Sequence, residues 1–232
     1  MSPRTARTFA GRYWGFTSAA LLLLSACTES PEPPPDAQNA GEPETGYQFR
    51  LDSERSDPGD FVISEEPSGL RIRTGPAGIL WRPEDVVSSG SFYAEATFVQ
   101  YGAPVGYREA YGVFVGGVDL DREDQEYIYL LIRPTGDFLI KRRRGETMEV
   151  VVDWTPHEAV AQVVAEGDEP QNTIGIDVHG GETWFLVNGS AVHSLPTPAA
   201  RPHGIAGIRA NHRLDIRVSG WSLGPSTVTP SP

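Results

Sequence analysis

Tyr127, Tyr129 and Arg133 share one face of a predicted strand. From Glu126 to Arg133 the chain alternates, with Ile128, Leu130 and Ile132 on the opposite side. Tyr93 and Glu95 sit together on the polar side of residues 91–101, and Trp184 adds an indole on a third strand. Flat rings beside carboxylates and a guanidinium suit sugar recognition. The rings cover apolar C–H faces, and the polar groups read hydroxyls. Tyr93, Glu95, Tyr127, Tyr129, Arg133 and Trp184 are therefore the expected ligand-binding set. The competing reading makes these aromatics a cover for the second sheet face beneath loops.

Hydrolysis of a glycosidic bond would need two carboxylates facing each other, roughly 5 to 9.5 Å apart. The acidic run Asp119, Asp121, Glu123, Asp124 and Glu126 lies between two predicted strands and reads as a solvated loop. A calcium loop is the alternative, but the EF-hand spacing with its glycine is missing. Glu95, Asp177 and Asp215 occupy polar strand faces, and the sequence does not pair them. His157, His179, His193, His203 and His212 show no i,i+4 or H-x-H spacing, so they read as scattered groups and no metal site is expected. No nucleophile elbow or phosphate-binding glycine loop occurs, and no cofactor is implied. Lys141–Arg144 is the one basic run. It reads as a strand end with its charges in water, the alternative being a grip on an anionic glycan or headgroup.

The 232 residues suit one domain with appendages. Thirty-one acids against 19 bases give a net charge of −12, which argues against nucleic acid as a partner. A single cysteine excludes an internal disulfide framework and any multi-thiolate zinc site.

That cysteine follows a distinctive leader. Arg4, Arg7 and Arg12 precede an apolar stretch centred on Leu21, Leu22, Leu23 and Leu24. The stretch is short of the roughly 20 residues a spanning helix needs, so residues 1–26 read as a secretory signal. Leu24-Ser25-Ala26-Cys27 resembles the lipobox of bacterial lipoproteins. The resemblance implies cleavage before Cys27, a diacylglycerol on its thiol and an acylated new amino terminus. It places the protein in the bacterial cell envelope, held to the membrane through the lipid on Cys27. Thr28, where an aspartate would favour inner-membrane retention, points to the outer membrane of a diderm; in a monoderm the place is the outer face of the cell membrane. An ordinary secretory signal with a chance cysteine is the alternative. Loss of residues 1–26 removes three arginines and no acid, leaving a net charge of −15. Acyl chains, not the protein surface, would then hold it to anionic headgroups.

Residues 27–46 form a linker. Its stretch 28–45 lacks Val, Ile, Leu, Met, Phe, Tyr and Trp and carries five prolines, so it reads as a disordered, extended tether. The folded unit is expected over residues 47–223, with 224–232 a flexible tail. Inside it the dominant period is two. Residues 91–101, 126–133, 172–179 and 213–219 alternate cleanly, and nine shorter runs read as further strands. Thr135-Gly136-Asp137 and Asn188-Gly189 mark hairpins. One short helix is predicted over residues 157–165, behind Pro156. About a dozen strands with almost no helix imply an all-β fold, a two-sheet antiparallel jelly-roll sandwich.

The later strands, GVFVGG, YIYLLIRPTGDFLIKRR, NTIGIDVHGGETWFLVNGSAV and GIAGIRANHRLDIRVSGWSL, resemble the concanavalin A-like (laminin-G-like) jelly roll. They are similar in particular to bacterial proteins grouped with 3-keto-disaccharide hydrolases. The resemblance implies fold more strongly than activity, and it carries no catalytic residue onto this sequence. Three functions stay open: a non-catalytic domain binding carbohydrate or an envelope protein, a glycoside hydrolase of the keto-disaccharide type, and a purely structural surface protein.

Overall fold

The computed structural model describes residues 46–226. Residues 1–45 and 227–232 lie outside the described residues, and with them Cys27, the leader and nearly all of the linker. The described part holds fourteen strands: β1 Gln48–Leu51, β2 Phe61–Glu66, β3 Gly69–Thr74, β4 Gly78–Val87, β5 Phe92–Gln100, β6 Tyr111–Val118, β7 Glu126–Arg133, β8 Asp137–Arg144, β9 Thr147–Pro156, β10 Gln171–His179, β11 Glu182–Val187, β12 Ser190–Pro196, β13 Gly204–Ala210 and β14 Asp215–Pro225. Strand β14 thus extends two residues past the expected edge of the domain.

The strands form two seven-stranded sheets. The first runs β1-β4-β13-β6-β7-β8-β9 and the second β12-β11-β10-β5-β14-β3-β2. Every pairing is antiparallel. The period-two pattern explains the sandwich. Val113, Leu130 and Ile208 of the first sheet and Ile72, Phe98, Ile176 and Ile216 of the second point into one shared core, each at most 1% exposed. Burying each such side chain contributes about 1.5–3 kcal/mol relative to leaving it in water. Both predicted hairpins form. Gly136 turns β7 into β8 at φ 89°, and Asn188 and Gly189 join β11 to β12 with φ 52° and 78°, the left-handed pair that a two-residue hairpin requires.

The predicted helix over 157–165 does not form. These residues turn and run on without regular structure, and the one α-helix among the described residues is Thr197–Ala200. Val160 and Val163, 2% and 4% exposed, produced the helical spacing but are buried from a loop. Side chains from elsewhere satisfy that loop's backbone. Asn172 Oδ1 accepts from Ala161 N at 2.8 Å, and Asn188 Nδ2 donates to Ala159 O at 2.7 Å. Hydrogen bonds supplied by β10 and by the turn between β11 and β12 replace the helical ladder.

Candidate functional site

The six expected ligand residues divide between opposite faces of the sandwich. Tyr127, Tyr129 and Arg133 lie on the outer face of the first sheet; Tyr93, Glu95 and Trp184 lie on the outer face of the second.

On the first sheet the two tyrosines are covered, each only 2% exposed. Tyr127 packs against Phe114 and Tyr129 with ring centroids 5.2 and 5.5 Å away. With Ile79, Trp81, Leu131, Leu139 and Leu120 they make a second apolar cluster outside the main core. The reading of them as rings open to a ligand is corrected: buried here, they cover the sheet face. Burial raises the pKa of both phenols, an effect that Arg209's charge opposes. Arg133 donates from Nε to Asp137 at 3.0 Å and lies over Trp154 at 4.2 Å, so it too is engaged.

Arg209 is the residue that sequence reading missed. It projects from β13 onto this face with a side chain 5% exposed. Its Nη1 donates to Asp52 Oδ1 at 2.6 Å and its Nη2 to Asp52 Oδ2. Arg143 joins from β8, with Nη1 3.3 Å from the same carboxylate. Burial would raise the Asp52 carboxyl, but the hydrogen bonds and charge of Arg209, helped by Arg143, hold it below the ordinary carboxylate range. Nε of Arg209 and the Tyr127 hydroxyl have no hydrogen-bond partner among the described residues. The only sequence signal was a charged residue on the polar side of an alternating strand.

The basic run is corrected in part: Arg144 ends β8 exposed, as expected, but two of its neighbours are not in water. Arg142 and Arg143 have side chains 12% and 13% exposed. Arg142 Nη1 donates to Glu149 Oε2 at 3.0 Å and Arg143 Nε to Gly145 O at 2.9 Å. These arginines bind their own chain rather than projecting into water.

Beside the covered region a cleft of about 1060 Å³ opens. Strand β1 forms one wall through Gln48 and Arg50, which pair in register with Trp81 and Ile79 of β4. Ser53, Glu54 and Ser56 line it from the following loop, and Asp121, Arg122, Glu123 and Asp124 from the acidic loop between β6 and β7. Tyr47 adds a partly exposed ring, and Trp81 reaches the lining only with the edge of an indole that is 3% exposed. The cleft thus joins aromatic surface to hydroxyls, carboxylates and guanidiniums, the mixture that reads a polyhydroxylated ligand.

On the second sheet, β10 lies between β5 and β11. Asp177 of β10 is directly opposite Tyr93 on one side and Trp184 on the other. In the adjoining row Gly175 stands between Glu95 and Leu186. Asp177 Oδ1 is 3.3 Å from His179 Nδ1, and the His179 ring stacks on Trp184 at 5.9 Å. Tyr93 Oη and Ser222 Oγ are hydrogen-bonded at 2.9 Å.

The three acids do not form one constellation. Asp215 binds Arg71 through both oxygens. It lies level with Tyr101, six residues along β5 from Glu95, or about 20 Å. Glu95 and Asp177 are diagonal neighbours, about 7–8 Å apart at Cβ. Among the described residues no group of three or more His, Cys, Asp or Glu is placed to hold a metal ion.

No protein-family model matches the chain, and no curated protein matches it. Solved structures do. The carbohydrate-binding module CBM66 from Bacillus subtilis is similar with a TM-score of 0.51 at 9% identity, over 78% of this chain and 96% of the module. The carbohydrate recognition domain of Emp46p, in a potassium-bound form, is similar with a TM-score of 0.54 at 9% identity, over 79% of this chain and 90% of that domain. Alginate lyase A1-II′ reaches 0.48 at 10% identity, over 74% and 85%, too low to support an argument. At such identities the likeness concerns fold alone, the two-sheet antiparallel jelly-roll sandwich.

Proposed function

We propose that this protein is an envelope lipoprotein, anchored through Cys27, whose jelly-roll domain binds carbohydrate without cleaving it. The observation that carries the binding half is the cleft beside β1, where the partly exposed rings of Tyr47 and Phe49 meet Gln48, Arg50, Asp121 and Arg122. Neutral sugar rings need apolar contact and many polar partners at once, and this lining offers both. The fold shared with a carbohydrate-binding module and a carbohydrate recognition domain supports the reading. The anchoring half rests on Leu24-Ser25-Ala26-Cys27 and the leader before it.

The test is a glycan array with the full chain, followed by calorimetric titration of each hit. Arg50→Ala and Asp121→Asn are expected to weaken binding about tenfold each, the effect of losing one charge-assisted hydrogen bond. Absence of any glycan hit leaves a structural surface protein as the better reading. Release of reducing ends from a bound oligosaccharide replaces the binding role with a hydrolytic one.

A further inference from the structure

We propose that the outer face of the second sheet carries a second carbohydrate subsite, a shallow platform for a neutral sugar ring between Trp184 and Tyr93. This goes beyond the cleft reading and shares with it only the ligand class, because no residue of the platform lines the cleft.

The argument starts from the register. Trp184, Asp177 and Tyr93 form one row across three adjacent strands. Two interstrand spacings put the β11 and β5 backbones about 10 Å apart, with a carboxylate between the two aromatic residues. The next row has no side chain at its centre. A Cβ built on Gly175 would lie 3.4 Å from Glu95 Oε2, in van der Waals contact with that carboxylate. Gly175 is itself buried, so the row is floored by backbone with the Glu95 side chain close beside it and Leu186 on the other side.

Two of the groups around it, the Glu95 carboxylate and the Trp184 indole N–H, are free to bind. Glu95 is exposed and makes no hydrogen bond or ion pair among the described residues, and the same holds for Nε1 of Trp184. His179 stacks on the indole and holds that ring in place, with its Nδ1 3.3 Å from Asp177 Oδ1. The Tyr93–Ser222 hydrogen bond fixes the far side. A partly exposed tryptophan stacked by a histidine on the outer face of the sheet belongs to neither apolar cluster. An aromatic ring flanked by unsatisfied acceptors and a donor is the chemistry of a sugar contact.

Charge selects the ligand. Glu95, Asp177 and Glu182 lie at this end, with the His179 imidazole among them. Arg71, Arg73 and Arg217 lie at the other end, beyond the Thr97–Thr173 pair, and Arg71 is bound to Asp215. Carboxylates repel uronates and sulfated sugars but accept hydrogen bonds from neutral hydroxyls.

The experiment follows the indole N–H resonance of Trp184, assigned by its loss in Trp184→Phe, while the full chain is titrated with maltohexaose, cellohexaose and laminarihexaose and, separately, with trigalacturonate. A neutral hexasaccharide is expected to shift it and trigalacturonate to leave it unmoved. Asp177→Asn and Glu95→Gln should each weaken that shift at least fivefold in apparent affinity, while Arg50→Ala leaves it unchanged. If neutral probes bind but only Arg50→Ala and Asp121→Asn weaken them, the platform is overturned and the cleft stands. If only the platform variants matter, the platform stands and the cleft falls. Binding of no probe overturns both, and a shift with trigalacturonate overturns the neutral-ligand assignment.

Discussion

Asp52, the first residue past β1, grips Arg209 of β13 with both carboxylate oxygens. The bond crosses β4, which lies between those strands, and links sequence positions 157 apart. It places a guanidinium over Tyr129, 5.6 Å from the ring centre. Removing the acid leaves Arg209 charged in a buried place. Asp52→Ala is expected to destabilise the domain by about 2–3 kcal/mol, less than the roughly 3–5 of a fully buried pair because the Asp52 side chain is about one-third exposed. A double variant, Asp52→Asn with Arg209→Met, should recover much of that loss. Urea denaturation midpoints measure both; an unchanged midpoint for Asp52→Ala contradicts the role given to the pair.

Stability should fall at both extremes of pH. Asp52 and Asp137 are held below the ordinary carboxylate range despite burial, by Arg209 in one case and by Arg133 and Thr135 in the other. A depressed folded pKa contributes stability that is fully present above the unfolded value, about pH 4, and is lost as pH falls through the folded one. Tyr111, Tyr127 and Tyr129 have raised pKa values, chiefly from burial. Their neutral forms are favoured in the fold, so stability is retained below about pH 10 and declines above it, where the unfolded tyrosines ionise first. Thermal melts from pH 3 to 11 should show a plateau with a fall on each side. Tyr127→Phe, which also removes an unpartnered hydroxyl, should flatten the alkaline limb.

Asn188 does more than turn a hairpin. Its Oδ1 accepts from Thr173 N at 2.7 Å, and its Nδ2 donates to Asn172 Oδ1 at 2.9 Å as well as to Ala159. Asn188→Ala loses these bonds and forces a side chain to keep φ 52°, so a cost of about 2–3 kcal/mol is expected. Asn188→Gly loses only the bonds and should cost less. Equal melting temperatures for the two variants would show that the backbone angle contributes nothing.

Membrane attachment is tested at one atom. Cells fed labelled palmitate should yield labelled protein, and Cys27→Ser should abolish the label and move the protein to the soluble fraction. Equal labelling of both forms removes the anchor from the proposal.

The alternation of Ile174, Ile176 and Val178 already determined a half-buried strand, and Asn188-Gly189 already determined its hairpin, because side-chain period and turn geometry are local properties of the chain. The same local pattern put Tyr127 and Tyr129 on one face and Tyr93 and Glu95 on another, but left open which faces become neighbours. Only the tertiary structure brought β10 between β5 and β11, so that Asp177 and His179 joined Tyr93, Glu95 and Trp184. It also buried Tyr127 and Tyr129 beside an arginine that Asp52 holds from across the sheet. Alternation separates two sides of a strand, but whether a side meets water, a loop or a neighbouring strand depends on pairings between residues far apart in the chain. Those pairings are decided by packing the whole sandwich at once.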